Sequence, residues 1–287
     1  MKVVAVGGGH GTAVSLRALR LFSDDVTGVV SVADDGGSTG RLRAMLDVAA
    51  VGDLRKCLGA LADPENPLAA SFEHRFRAGE LNGHAVGNLV LVGLIDATGD
   101  LEESVGAIAQ VMGVTGTIVP ASSEGVVLVA STENGDARGQ TEVMKSSSIR
   151  RIRVEPQNVA APIAAVEAIE NADLILIGPG SLFTSVLAAC VVPGILQALA
   201  GSRARTVYVA NLREEVPETE GYTLQDHVDA LERHGVFADV VLVDEGSAFA
   251  SQDCSRTVRA RDLVGENRRV HDVQKLSEAV FAECEAI

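Results

Sequence analysis

Gly7-Gly8-Gly9-His10-Gly11-Thr12 follows the apolar run Val3–Val6 and precedes Ala13–Phe22, where apolar residues recur at helical spacing. A glycine turn between a strand and a helix makes an anion site, because the free N–H groups of the first helical turn point into it. Glycines also let a phosphate approach the backbone with no Cβ in the way. Gly8, Gly9, His10 and Gly11 are therefore candidate ligand contacts. The dinucleotide fingerprint needs a third glycine at position 12, where this chain has Thr12. A Walker loop is excluded too, since no Gly-Lys-Ser/Thr follows. The competing reading is a plain tight turn, but three consecutive glycines exceed what a turn needs.

A second loop repeats the logic: Ala33-Asp34-Asp35-Gly36-Gly37-Ser38-Thr39-Gly40-Arg41, after the apolar segment Val26–Val32. Asp34 or Asp35 suits a ribose hydroxyl, as the acid after the second strand does in dinucleotide folds. Alternatively the pair suits Mg²⁺ accompanying a nucleotide, an ion that takes one or two carboxylates plus phosphate oxygens. Gly36, Gly37 and Ser38 add donors, and Arg41 and Arg43 add positive charge. A third loop, Gly178-Pro179-Gly180-Ser181, closes the apolar run Leu174–Ile177, with Thr184 and Ser185 following on the expected helix start. In an open α/β sheet such loops converge at the carboxyl ends of the strands, so three of them outweigh any one.

Two weaker candidates remain. His84 and Asn88 lie four residues apart, on one helical face, where a buried hydrogen-bonded pair competes with a ligand role. Asp53 and Arg55 open another helix, a common place for a capping acid. Nothing matches a nucleophile elbow, a zinc motif or a Ser/His/Asp arrangement. Ser146-Ser147-Ser148 forms an exposed patch suited to phosphorylation.

The elements that must position these loops alternate. Strands are expected at Val3–Val6, Val26–Val32, Leu174–Ile177, Thr206–Asn211 and Val240–Val243. Helices are expected at Ala13–Phe22, Asp53–Leu61, His84–Ile95, Leu101–Val111, Pro162–Ile169, Ile195–Ala200, Leu224–His234 and Lys275–Cys284. Between them, Thr117–Pro120, Val126–Ser131 and Gln140–Lys145 read as short strands, with Asn134-Gly135 as a hairpin signal. The pattern predicts an α/β fold: a doubly wound, mostly parallel, Rossmann-like sheet in a single domain over 1–287, with a small β-rich insertion at about 115–155.

Composition agrees. Of 287 residues, 47% are hydrophobic but only 3% aromatic, so the core is built from Val, Leu, Ile and Ala, as in a parallel sheet covered on both faces. A net charge of −15 repels a phosphate backbone and an anionic bilayer, which argues against nucleic-acid and membrane partners. Local backbone N–H groups still permit a nucleotide. Cys57, Cys190, Cys254 and Cys284 show no metal or redox spacing and read as reduced cytoplasmic thiols. Val3–Val6 is too short for a secretory h-region, and no apolar run approaches the ~20 residues of a membrane span.

Taken together, the glycine loop at 7–11, the aspartate-glycine loop at 33–43, Gly52-Asp53-Leu54-Arg55, Gly83-His84-Ala85-Val86-Gly87-Asn88 and Gly178-Pro179-Gly180-Ser181-Leu182-Phe183-Thr184-Ser185 resemble the YvcK-type gluconeogenesis factors. The wider superfamily includes CofD, the 2-phospho-L-lactate transferase of deazaflavin cofactor synthesis. The resemblance implies a nucleotide site across these loops and a non-catalytic regulator that binds UDP-sugars, notably UDP-N-acetylglucosamine. Such a regulator supports cell shape and envelope precursor synthesis during gluconeogenic growth. The implied partners are the UDP-sugar and an unidentified protein of envelope or central carbon metabolism, with the chain itself a homo-oligomer. The alternative is a CofD-like transferase that moves a phospholactyl-type group from a nucleotide diphosphate donor to a hydroxyl acceptor. Family contacts to the UDP-sugar map onto Tyr222 and, approximately, Arg269. The chain departs from the family at His10, where Thr is usual, and at Glu215-Val216-Pro217-Glu218-Thr219, where Gln-Pro-Gly-Glu-Thr is expected.

Overall fold

The computed structural model describes residues 1–284. The first half contains β1 (Lys2–Gly7), α1 (Gly9–Arg20), β2 (Asp25–Val30), α2 (Gly37–Met45), α3 (Gly52–Leu61), α4 (Pro67–Phe72), α5 (Val86–Thr98), α6 (Leu101–Val111) and β3 (Thr117–Pro120). A small unit follows: β4 (Val127–Thr132), β5 (Gly135–Arg138), α7 (Gln140–Met144) and β6 (Arg151–Glu155). The chain then returns to α8 (Ile163–Glu170), β7 (Leu174–Ile177), a π-helical turn Leu182–Val186 running into α9 (Leu187–Cys190), and α10 (Pro193–Gly201). It ends with β8 (Arg205–Val209), α11 (Leu224–Arg233), β9 (Val240–Asp244), β10 (Thr257–Arg261) and α12 (Val273–Cys284).

The large sheet has the order β10-β9-β8-β7-β1-β2-β3, and every pairing in it is parallel. The buried parts of β1 and β7–β9 are apolar, apart from Asp244 at the carboxyl end of β9, as suits strands covered on both faces. Gly28 in β2 gives room for α1 to settle on the sheet: a Cβ there would lie 3.0 Å from Ile118 Cδ1 and 3.1 Å from Leu16 Cδ1. The strand order reverses beside β1. The chain first winds outward through β2 and β3, then returns to β7 on the other side of β1. The carboxyl ends of β1 and β7 thus form the topological switch point, where open α/β sheets place their ligands.

The small sheet has the order β5-β4-β6 and is antiparallel. It falls inside the insertion expected at about 115–155, and its hairpin turns at Asn134, but its third strand differs from the sequence reading. Gln140–Lys145 is not a strand: Gln140–Met144 is α7, and Arg151–Glu155 pairs with β4 instead. Asp35 explains the change. Its Oδ1 accepts hydrogen bonds from Thr141 N at 2.8 Å and Thr141 Oγ1 at 2.6 Å, giving the first turn of α7 a side-chain acceptor. Boundaries shift elsewhere too. α1 starts inside the glycine loop at Gly9, α5 starts at Val86, and α2, α4 and β10 lay outside the periodic segments.

Among the described residues no single helix is long and apolar enough to cross a membrane.

Candidate functional site

α1 begins at the switch point without a protein cap. Its N-cap, Gly8, has no side chain to accept from the first turn, and that turn carries no acidic residue. The leading N–H groups therefore face a concave surface with the helix dipole behind them. Gly9 sits at φ +70°, a conformation glycine adopts without strain. Gly11 lies so close to the third loop that a Cβ would overlap Pro179 O. Ser15 Oγ donates to Gly178 O at 2.6 Å, clamping α1 to the same loop. Asn211, beyond β8, braces it from the far side: its Oδ1 accepts from Gly180 N at 2.9 Å and its Nδ2 donates to Gly180 O at 3.0 Å. The first and third loops form one rigid lip.

Two cavities meet at this lip. The smaller, about 340 Å³, lies toward β2 and takes in Gly8, Gly9, His10, Gly11, Gly180 and Ser181, together with Asp34, Asp53, Lys56 and Ser185. The larger, about 690 Å³, lies toward β8 and includes Asn211, Arg213, Glu218, Arg269 and His271. His10, Gly11, Met144, Gly180, Ser181 and Glu215 line both. Each space is within the range of small-molecule sites.

The charges around the smaller cavity are close and partly compensated. Lys56 Nζ donates to Asp53 Oδ1 at 2.9 Å, and Asp53 is buried. Gly8 and Gly52 make room for the acids, since a Cβ at either would overlap Asp53 Oδ2 or Asp34 Oδ2 respectively. Burial, then the neighbouring Asp53 charge, raise the Asp34 carboxyl above the usual range, against hydrogen bonds from Gly36 N and the Thr39 side chain. Packing on one side of His10, then the Lys56 ammonium, hold its imidazole below the ordinary value and favour the neutral ring. In the larger cavity, burial pushes Glu218 up to about 7 although its carboxylate accepts from Phe183 N at 2.7 Å and Thr184 Oγ1 at 2.8 Å. Glu218 thus fills the start of the helical segment after the third loop, leaving α1 as the open N-terminus in the crevice.

The candidates from sequence separate into groups. Gly8, Gly9, His10, Gly11, Asp34, Gly180 and Ser181 line the crevice, with Gly178 directly behind it. Asp35 turns away to α7, and Gly36 donates to Asp34 Oδ1 at 2.8 Å. Gly37 starts α2 at φ +47° with open space around it. Ser38, His84 and Asn88 are buried together: Ser38 Oγ lies 3.0 Å from His84 Nδ1 and accepts from Asn88 Nδ2 at 3.0 Å. Arg41 is exposed and donates to Asn82 O at 2.8 Å. Tyr222 packs edge-on against Phe183 and His227, with ring centroids 6.3 Å and 5.6 Å away. It lines neither cavity, whereas Arg269 lines the larger one.

Sequence reading passed over Lys56, Gln140, Met144, Asn211 and Glu215. Lys56 carried a signal, standing three residues after Asp53 on one helical face. Gln140 Nε2 donates to Thr184 O at 2.7 Å, a contact across 44 residues that no local pattern announces. Among the described residues no group of three or more His, Cys, Asp or Glu is placed to hold a metal ion.

Fold and site together define a doubly wound, Rossmann-like α/β protein with an uncapped helix N-terminus opening into a crevice at its switch point. The chain belongs to the CofD family: the model for 2-phospho-L-lactate transferase CofD matches residues 3–282. It is 41% identical to a putative gluconeogenesis factor of a Nostoc species over 94% of this chain and 62% of that protein. It is also 40% identical to the gluconeogenesis factor of Bacillus subtilis over 85% of this chain and 78% of that one. The chain thus spans less than two thirds of the Nostoc relative's length. A crystal structure of a UPF0052 family member from Bacillus halodurans superposes with a TM-score of 0.91 at 36% identity, covering 98% of both chains.

Proposed function

We propose that the crevice binds a nucleotide-linked sugar, UDP-N-acetylglucosamine, and that the protein acts as a regulator rather than a catalyst. The observation that carries this reading is the uncapped N-terminus of α1 at the switch point, opening between the two cavities. The diphosphate lies against the N–H groups of Gly9, His10 and Gly11, and Lys56 supplies the nearby positive charge. The larger cavity holds one end of the ligand beside Asn211 and Arg269. Tyr222 acts from behind Phe183, whose N–H donates to Glu218 on the wall of the larger cavity. A Mg²⁺ ion entering with the nucleotide suits Asp34 and Asp53, since two carboxylates plus phosphate oxygens are its usual ligands; bound there, it would offset the charge of the two acids. The relatives named gluconeogenesis factors support a place in gluconeogenic growth; the role in cell shape and envelope precursor supply, relayed to a protein partner, is the part of the proposal that the resemblance alone implies.

The family match favours a second reading. In a CofD-like transferase, an acceptor hydroxyl oxygen would bond to the donor's phosphorus as its bond to the nucleotide breaks. Nucleoside monophosphate would leave and the hydroxyl proton would pass to a base. Calorimetry with UDP-N-acetylglucosamine, UDP-glucose, GDP and NAD, each with and without Mg²⁺, separates the readings when paired with a product assay. The regulator binds the UDP-sugar preferentially and forms no product. Release of nucleoside monophosphate at ~1 per second or faster overturns it in favour of the transferase.

A further inference from the structure

Arg55 is an anomaly in the ground plan. It stands two residues after Asp53 on α3, and its side chain is only 2% exposed. Its Nε and Nη1 are buried and make no hydrogen bond. The acid nearest to it, Glu73, places Oε2 3.3 Å from Nη1, yet the Glu73 side chain is 54% exposed. A buried guanidinium normally has its donors satisfied, because an unmet charged donor is expensive. The fold nevertheless makes room for this one. A Cβ at Gly87 would come within 2.8 Å of Arg55 Cγ, so the start of α5 is kept bare beneath it.

The surroundings are of mixed charge, with Asp53 and Asp34 as well as Glu73 favouring the charged guanidinium. Arg75 faces Arg55 closely enough to lower its basicity, after burial, while Glu73 works in the opposite direction. Arg75 is exposed and anchored, with Nη1 donating to Gly83 O at 2.9 Å and its backbone bridging to Ala85 just before α5. Among the described residues Glu73, which is half-exposed, is the one carboxylate within ion-pair distance of Arg55, and the Arg75 charge acts on the same guanidinium. The guanidinium lies one flexible side chain below the surface, on the same helix as Asp53 and Lys56 of the crevice.

We infer that Arg55 and Arg75 form a second anion site, for a carboxylate or phosphate group, which Glu73 fills when no ligand is bound. Glu73 is the stand-in for that anion, and its displacement gives Arg55 the acceptor it lacks. Guanidinium groups suit this task because their fixed fork matches carboxylate and phosphate oxygens. The site is separate from the α1 N-terminus, so it takes either the far end of a long anionic ligand or a second small one.

The test uses inorganic phosphate as probe, titrated into the full chain by calorimetry and phosphorus NMR. Two binding events are expected. Lys56→Ala weakens one and Arg55→Gln weakens the other about tenfold or more. Arg55→Gln risks misfolding, so Glu73→Gln is the decisive variant. Removing a competing surface carboxylate should tighten the second event about 2–5-fold. A purely structural Glu73–Arg55 pair gives the opposite result, with unchanged or weaker phosphate binding and a less stable protein. A single event sensitive only to Lys56 overturns this inference and leaves the crevice reading standing. A single event sensitive only to Glu73 and Arg55 does the reverse.

Discussion

Asp34 and Asp35 are neighbours in sequence with the same side chain, yet the structure gives them different work. Asp35 accepts two hydrogen bonds from Thr141, while Asp34 faces the crevice beside Asp53. Asp35→Ala should therefore lower stability by about 0.5–2 kcal/mol, the usual effect of losing a helix-start acceptor, and alter ligand affinity little. Asp34→Asn should do the opposite, changing UDP-sugar or Mg²⁺-nucleotide affinity with the fold intact. Denaturant unfolding and calorimetry on both variants decide the assignment, and equal effects on both readouts would refute it. Glu218 offers a pH test. Its folded-state pKa of about 7 lies above the ordinary 4.5, so the native protein holds that proton longer than the unfolded chain does. The stability this contributes is present below about 4.5 and is lost as pH rises through about 7. Glu218→Gln should thus gain stability relative to the parent across that window and level off above it. Parallel unfolding curves at every pH would contradict the burial of that carboxyl.

At the scale of elements, helix α5 carries a matched pair of glycines. Gly87 is buried against Arg55 and Phe72, whereas nothing lies within 4 Å of a Cβ built at Gly93. Gly93→Ala should stabilise the protein by about 0.5–1 kcal/mol, the helix-interior gain of alanine over glycine. Gly87→Ala should destabilise it, because both Arg55 and Phe72 would have to shift; thermal unfolding of the two variants reads the difference. The elements were legible in the sequence wherever the local pattern and the burial agreed. Val3–Val6 and Leu174–Ile177 are buried strands that announce themselves by unbroken apolar runs. Asn134-Gly135 marked the hairpin because its turn chemistry is local. Gln140–Met144 misled because its helical state depends on Asp35, 106 residues away from Thr141. β10 was missed for a related reason: it is an edge strand with intermediate and exposed residues, and so lacks the apolar signature. The glycine loops at the crevice were legible through backbone chemistry. Gln140 and Asn211 join it by tertiary contact, and no spacing rule reaches that far, whereas Lys56 stood within reach at i+3 from Asp53.

For the whole molecule, the parallel order on either side of β1 makes the crevice, and the acidic surface sets its terms. A protein with a net charge of −15 draws an anion only where oriented N–H groups and a few cations overcome the general field. The N-terminus of α1, with Lys56 beside it, is the place proposed for this at the switch point. The most direct test is a crystal structure of the protein with UDP-N-acetylglucosamine. The account expects the diphosphate oxygens within hydrogen-bond distance of the Gly9, His10 and Gly11 N–H groups, with the rest of the ligand running between the two cavities. A ligand bound elsewhere, or a diphosphate that leaves those N–H groups untouched, would contradict it.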